Sequence, residues 1–329
     1  MKAISIQEFG DPSVCVVRDV PSPQPDPGEA TVKIGYAGVN FIDVYMRNGT
    51  YARSHTYRTP LPMVIGMEGA GVIDAVGEGV TDLKPGARVA FCLSRGAYAD
   101  AVAVPAWKLV PVPDAVPFDI AAALMLQGCT AHYLSHSAFP LKPGQSCLVH
   151  AGAGGVGQLL IQLAKKAGAT VFTTVSTEAK AEVAIKRGAD HCILYRNEDF
   201  EQEIKRLTDG KGVHVVYDSV GKDTIMKSIR SVRRRGLCVL FGASSGVVDA
   251  IEPLALAEAG SVFFTRPHLA DYMASASEIR SRTDELFRLY LDGELQVTID
   301  KKFALTDAAQ AHQFLEAGKT QGKLLLQVS

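Results

Sequence analysis

Residues 150–158 read HAGAGGVGQ, a glycine-rich turn that follows the apolar run SCLVH (146–150) and opens the amphipathic stretch VGQLLIQLAKKAG. Gly152, Gly154 and Gly157 fit the GxGxxG pattern in the strand–turn–helix context that gives it meaning. Ala153, Gly155 and Val156 complete the turn. Glycines let a pyrophosphate approach the backbone, and the following helix N-terminus offers N–H donors and partial positive charge. The segment predicts a dinucleotide-binding βαβ unit.

The surroundings extend that unit. After 146–150, strand candidates recur as TVFTTV (170–175), HCILY (191–195), VHVVYDS (213–219), LCVLFG (237–242) and SVFFT (261–265), with helical stretches between them. Near-continuous apolar strands alternating with helices imply a parallel sheet covered on both faces. Six strands in two halves suit a doubly wound fold. The run SVRRRG ends one such helical stretch, and Arg233–Arg235 are expected as cations at a helix C-terminus before Gly236.

The first third is different. PSPQPDPGE (21–29) holds four prolines, and ATVKIGYAGV, GAGVIDAVGEGV and LKPGARVAF read as short strands broken by turns. These predict a small barrel-like β domain. The tail after Pro267 offers two helices and the strands KKFAL and KLLLQV, and is expected to pack back onto that β domain.

Lys+Arg is 34 and Asp+Glu is 35, a net charge of −1, so no global basic field points to nucleic acid or anionic membrane. The six cysteines are dispersed, with no CxxC pair. That spacing suits reduced thiols and a cytoplasmic setting. No run of 18 apolar residues predicts a membrane span.

The second strand of the unit bears on the cofactor. NAD-binding units usually place an acidic residue near its end. Here it ends TTVSTEAK, so Ser176 and Thr177 present hydroxyls and Lys180 lies one turn into the next helix. That arrangement favours a 2′-phosphate and therefore NADPH, while Glu178 keeps NADH open.

Together these residues resemble the zinc-independent quinone oxidoreductases, or zeta-crystallin family, of the medium-chain dehydrogenase/reductases. The resemblance rests on GQSCLVHAGAGGVGQLLIQLAK (144–165), GVNFIDVYMRNGTY (38–51), VYDSVG (216–221), LFGASSG (240–246) and TRP (265–267). It runs over essentially the whole chain, with departures at Gly152, usually Ser or Ala, and Ala87, usually Asp. It implies a GroES-like β-barrel domain from both chain ends, residues 1–122 plus 267–329, with a Rossmann doubly wound parallel sheet, residues 123–266, inserted. Cofactor would bind in the cleft between them. It also implies cofactor contacts at Thr130, Tyr195, Ser219, Phe241, Gly242, Ser244 and Arg266, and a basic contact near Lys319, where the match slips by a residue. Asn40, Asp43 and Tyr51 would lie near nicotinamide and acceptor, with Tyr45 a further hydroxyl.

Zinc-dependent relatives hold a catalytic metal with Cys, His and a third ligand. The matching positions here are Asn40, Met67 and, nearby, Gln127, and the four-cysteine structural loop is missing. Asn and Gln are poor zinc ligands and Met suits softer metals, so no resident metal is expected. His132 and His136 stand four apart on a helical stretch without an acidic partner in the sequence pattern. Three functions follow from the resemblance: an NADPH:quinone reductase, an enone or alkenal double-bond reductase on the same scaffold, or a non-enzymatic NADPH-binding structural or RNA-binding protein. A homodimer is expected, paired through the apolar edge strand at 261–265.

Overall fold

The computed structural model describes residues 1–328. The contacts divide them into two units, one of residues 1–129 with 273 onward and one of Thr130–Tyr272.

The first unit is organised around the long strand Glu29–Val39. It pairs antiparallel with Glu68–Val76, with Ala101–Pro105 and with the C-terminal strand Lys323–Gln327. The sheet continues outward to Arg88–Cys92 and Val110–Pro111 on one side and to Ile299–Ala304 on the other. A second sheet joins Lys2–Ile6 to Val16–Asp19 and Met63–Val64. The expected return of the tail is thus realised as strand pairing. In its register Leu324 faces Val39, so Lys323 arrives beside Asn40.

The second unit is a six-stranded sheet in the order His191–Leu194, Thr170–Val175, Ser146–His150, Val213–Asp218, Val232–Leu240, Phe263–Thr265. All five pairings are parallel. The strand order reverses between Ser146–His150 and Val213–Asp218, the place where doubly wound sheets take ligands at their carboxyl ends. One face packs Phe200, Ile204, Ile225 and Ile229 onto Leu148, Phe172 and Val216. Burial of such side chains stabilises by roughly 1.5–3 kcal/mol each.

The arginine run departs from expectation. The helix ends at Ser231 and Val232 already belongs to the next strand. Val213 pairs with Val232 but Val215 pairs with Leu237, so Arg233–Gly236 bulge out opposite His214. Arg235 adopts φ 57° there. Strand pairing after the bulge, not a helix dipole, decides its conformation.

The stretch expected to be helical from Phe118 is helical but irregular, with π-turns at Leu124–Gly128 and Leu134–Ala138. Such turns free backbone groups and recur at functional sites. All six cysteines are free thiols. Among the described residues no helix is long and apolar enough to cross a membrane.

Candidate functional site

At the carboxyl edge of the parallel sheet, the glycine turn is shaped by sterics. A Cβ on Gly152 would overlap Thr173, and one on Gly157 would overlap the Ala151 carbonyl. At Gly157 the obstacle is backbone, so that position requires glycine; at Gly152 it is chiefly the Thr173 side chain. The helix Gly155–Lys166 begins at Gly154 with no side chain capping it. Gly154, Gly155 and Val156 are half-buried, with Ala153 buried beneath. The first N–H groups of the helix are left to a ligand, and an anion suits them.

The other expected cofactor residues gather on the same edge. Ser176 and Thr177 follow Val175, the last residue of its strand, and Thr177 caps the helix Glu178–Lys186, its hydroxyl accepting from the Lys180 N–H. Lys180 is half-buried on that first turn. Tyr195 follows Leu194, is 51% exposed, and donates its N–H to Val175. Ser219, Phe241, Gly242, Ser244 and Arg266 follow the ends of the remaining strands. Thr130 is buried in the helical segment Cys129–Tyr133.

Asp218 locks this edge. It is fully buried and accepts from the N–H groups of Val220 and Gly221 at 2.8 and 2.9 Å, and from the hydroxyls of Thr224 and Ser228. Its carbonyl accepts from Phe241 N–H at 2.8 Å. A Cβ on Gly242 would overlap Ser219, which explains LFG beside VYDS.

In the first unit, Asn40 caps the short helix Phe41–Arg47. Asp43, in its first turn, reaches back to accept the Asn40 N–H at 2.9 Å. The Asn40 side chain does two things. Its Nδ2 donates to Glu68 Oε2 at 2.8 Å, and its Oδ1 accepts from Lys323 Nζ at 2.7 Å. Lys323 also donates to Glu68, and the Leu126 N–H, in the π-turn, donates to the other Glu68 oxygen. Lys323 is 1% exposed and Glu68 0%. A buried charge is tolerated only when paired and hydrogen-bonded, and here each is. Gly38 makes room, since a Cβ there would overlap the Glu68 carboxylate.

A second chain leads away from Asp43. Tyr98 donates to Asp43 Oδ2 at 3.3 Å, and His312 Nε2 lies 3.2 Å from the Tyr98 hydroxyl. Arg47 Nη1 lies 3.1 Å from His312 Nδ1 and binds Glu316 through both Nη atoms at 2.8 Å. Arginine can only donate, so Nδ1 accepts and the imidazole proton sits on Nε2, directed at Tyr98. Burial, reinforced by Arg47, pushes His312 down to about 3. Burial pushes the Asp43 carboxyl up to about 7 against the pull of Asn40 N–H, Lys323 and Tyr98. Asp43 Oδ1 is buried without a hydrogen-bond partner.

Tyr51 is half-buried and sits in an aromatic row. Its ring centroid is 5.3 Å from Tyr45, edge-on, and 5.3 Å from Tyr57, stacked, with Phe41 beyond Tyr45 at 5.9 Å. Lys319 is exposed, just past the turn that follows the helix Ala308–Glu316. The cation buried beside Asn40 is Lys323, which the sequence motifs do not single out. Glu68, next to Met67, and Tyr98, His312 and Tyr57 carry no role in the sequence motifs either.

Comparison with known proteins gives the chain its kin. Residues 26–114 match the alcohol dehydrogenase GroES-like domain, and residues 155–287 match the model described as zinc-binding dehydrogenase. Asn40, Met67 and Gln127 all lie outside the second match. A 2-haloacrylate reductase of Burkholderia sp is 42% identical, with 98% of each chain covered. The quinone oxidoreductase of Pseudomonas aeruginosa is 41% identical, with 99% of each covered. The Escherichia coli quinone oxidoreductase solved with NADPH superposes at TM-score 0.96, 39% identical and covering all of both chains. A mycobacterial protein solved with NADPH gives 0.95 at 43% identity, again covering all of both. The chain belongs to the zinc-independent quinone-oxidoreductase, or zeta-crystallin-like, family of the medium-chain dehydrogenase/reductase superfamily.

Proposed function

We propose that this protein is an NADPH-dependent quinone reductase. The observation that carries the reading is full-length similarity, at 41% and 40% identity, to quinone oxidoreductases of two bacteria. The site residues fit the cofactor: glycines where a Cβ would fill the turn, an uncapped helix N-terminus, and hydroxyls and a lysine in place of a strand-end carboxylate.

Bound NADPH supplies the hydride. The glycine turn 152–157 holds its diphosphate, and Ser176, Thr177 and Lys180 hold the 2′-phosphate. Thr130, Tyr195, Ser219, Phe241, Gly242, Ser244 and Arg266 orient the rest. Asn40 has two amide hydrogens and gives one to Glu68. The second is for the acceptor oxygen or the nicotinamide amide. The Tyr51 hydroxyl donates to the acceptor, stabilising charge as it develops. Asp43 is fully buried and acts through Asn40, as a positioning residue.

A second reading has its own support. The 2-haloacrylate reductase at 42% identity acts, by its name, on a conjugated carbon–carbon double bond. An acceptor panel separates the two. With NADPH, para-benzoquinone and phenanthrenequinone should be turned over well ahead of cyclohexenone and 2-chloroacrylate. The reverse order would make the protein a double-bond reductase.

We also propose a homodimer joined through the edge strand Phe263–Thr265. Phe263 there is 64% exposed. A bare apolar edge invites pairing, and a two-fold mate would continue the sheet.

A further inference from the structure

The amino edge of the parallel sheet, opposite the glycine turn, carries a cavity of about 870 Å³. The helix Ile225–Ser231 and three further segments wall it. The three are the turn after the helix Phe200–Leu207, the arginine bulge, and the turn after the helix Pro253–Glu258. Its lining includes Lys205, Lys211, Arg230, Arg234 and Arg235 against one carboxylate, Glu258. Lys205 and Arg230 are already paired with Glu201. Among the described residues, Lys211, Arg234 and Arg235 have no side-chain partner.

The backbone is bent to present them. Of five non-glycine residues at positive φ among the described residues, Arg235 (57°) and Ser261 (55°) line the cavity and Asp209 (51°) adjoins it. Left-handed backbone at non-glycine residues is unfavourable and gathers where a surrounding structure demands it, commonly at ligand clamps. The Arg235 N–H is tied to the Gly260 carbonyl at 2.9 Å, so the bulge is fixed rather than frayed. Three helices end at this edge, at Leu207, Ser231 and Glu258. Their C-terminal dipoles draw cations there, and Lys211, Arg234 and Arg235 stand there with Glu258 as the lining carboxylate. The volume falls in the range of small-molecule sites, and Met226, Ile229 and Ala255 give it apolar wall.

We propose that this cavity is a second anion site, which takes a small molecule bearing a di- or triphosphate group, held by Lys211, Arg234 and Arg235. Charge-assisted bonds favour phosphate oxygens, and arginine offers them a bidentate fork. The site is separate from the proposed reaction and requires no chemistry of it.

The test is calorimetric titration of inorganic tripolyphosphate into the full chain, alone and saturated with NADPH. Saturation blocks the glycine turn, so binding that persists belongs to another site. Persistent binding should weaken about 10-fold in Lys211→Gln or Arg234→Gln, and more in the double variant. These side chains are exposed, and NADPH titration of each variant checks that the fold is intact. Binding that vanishes on NADPH saturation, or that all three variants retain unchanged, overturns the proposal. So does an absence of any binding in the parent protein.

Discussion

Lys323 Nζ lies 2.7 Å from Asn40 Oδ1 and also donates to Glu68, which places a buried ammonium beside the residue that caps the helix Phe41–Arg47. The pairing depends on strand register, because the last strand delivers residue 323 opposite the end of Glu29–Val39. The buried pair also explains why residue 38 is glycine, since a Cβ there would overlap the Glu68 carboxylate.

Removing the cation should therefore cost more than removing the pair. Lys323→Met leaves Glu68 buried and unpaired, which typically costs about 3–5 kcal/mol. Adding Glu68→Gln should recover much of that loss. Urea unfolding of Lys323→Met, Glu68→Gln and the double variant measures it. Additive losses would mean that the two side chains do not support each other.

Asp43 and His312 predict a compensated pH profile. Folded Asp43 is raised to about 7 from 3.8, so its contribution is full below pH 3.8 and is lost as pH rises to 7. Folded His312 is lowered to about 3 from 6.5, so its contribution is full above pH 6.5 and is lost as pH falls toward 3. Between pH 4 and 6.5 the two slopes oppose each other. His312→Gln should expose a stability that falls with rising pH, and Asp43→Asn one that falls with falling pH. Each slope is at most about 1.4 kcal/mol per pH unit. Variants whose urea midpoints follow pH as the parent's do would contradict the assignment.

Lys180→Ala tests the 2′-phosphate contact. Loss of a charge-assisted bond worth roughly 1.5–3 kcal/mol should raise KM for NADPH on the order of 10–100-fold. NADH, which lacks the phosphate, should be little affected. Equal losses for both cofactors would remove Lys180 from that role.

Tyr51→Phe should lower turnover more than binding, since its hydroxyl is proposed to act as charge develops. Delocalisation in a quinone softens the effect, so about 1–2 kcal/mol, or roughly 5–30-fold, is expected in kcat. Wild-type kcat with only a raised NADPH KM would make Tyr51 part of the cofactor site instead.

Phe263→Asp places a charge on the exposed sheet edge. Light scattering at micromolar concentration should find a dimer for the parent and a monomer for the variant. A parent that is already monomeric would end the edge-pairing proposal.

Some of this was written locally in the chain and some was not. The glycine turn, the VYDSVG and LFG loops and the strand alternation are short patterns whose sterics hold wherever they occur. Lys323 heads the apolar run KLLLQ, and a lysine there reads as a solvated strand end. Only register with Asn40 buries it. His312 was recoverable, because Ala308, Ala311, His312 and Leu315 share one helical face and all four are buried. Arg233–Arg235 before Gly236 imitate a helix ending, and only pairing with Val213–Asp218 shows them to be a strand bulge.

The central claim is tested most directly by quinone-dependent oxidation of NADPH by the chelated full chain. With a metal chelator present throughout, para-benzoquinone should drive NADPH oxidation at an undiminished rate, because Asn40 and Glu68 are already bonded to each other and to the Lys323 ammonium. No quinone-dependent oxidation of NADPH, or a rate that falls on chelation and returns with zinc, would contradict the account.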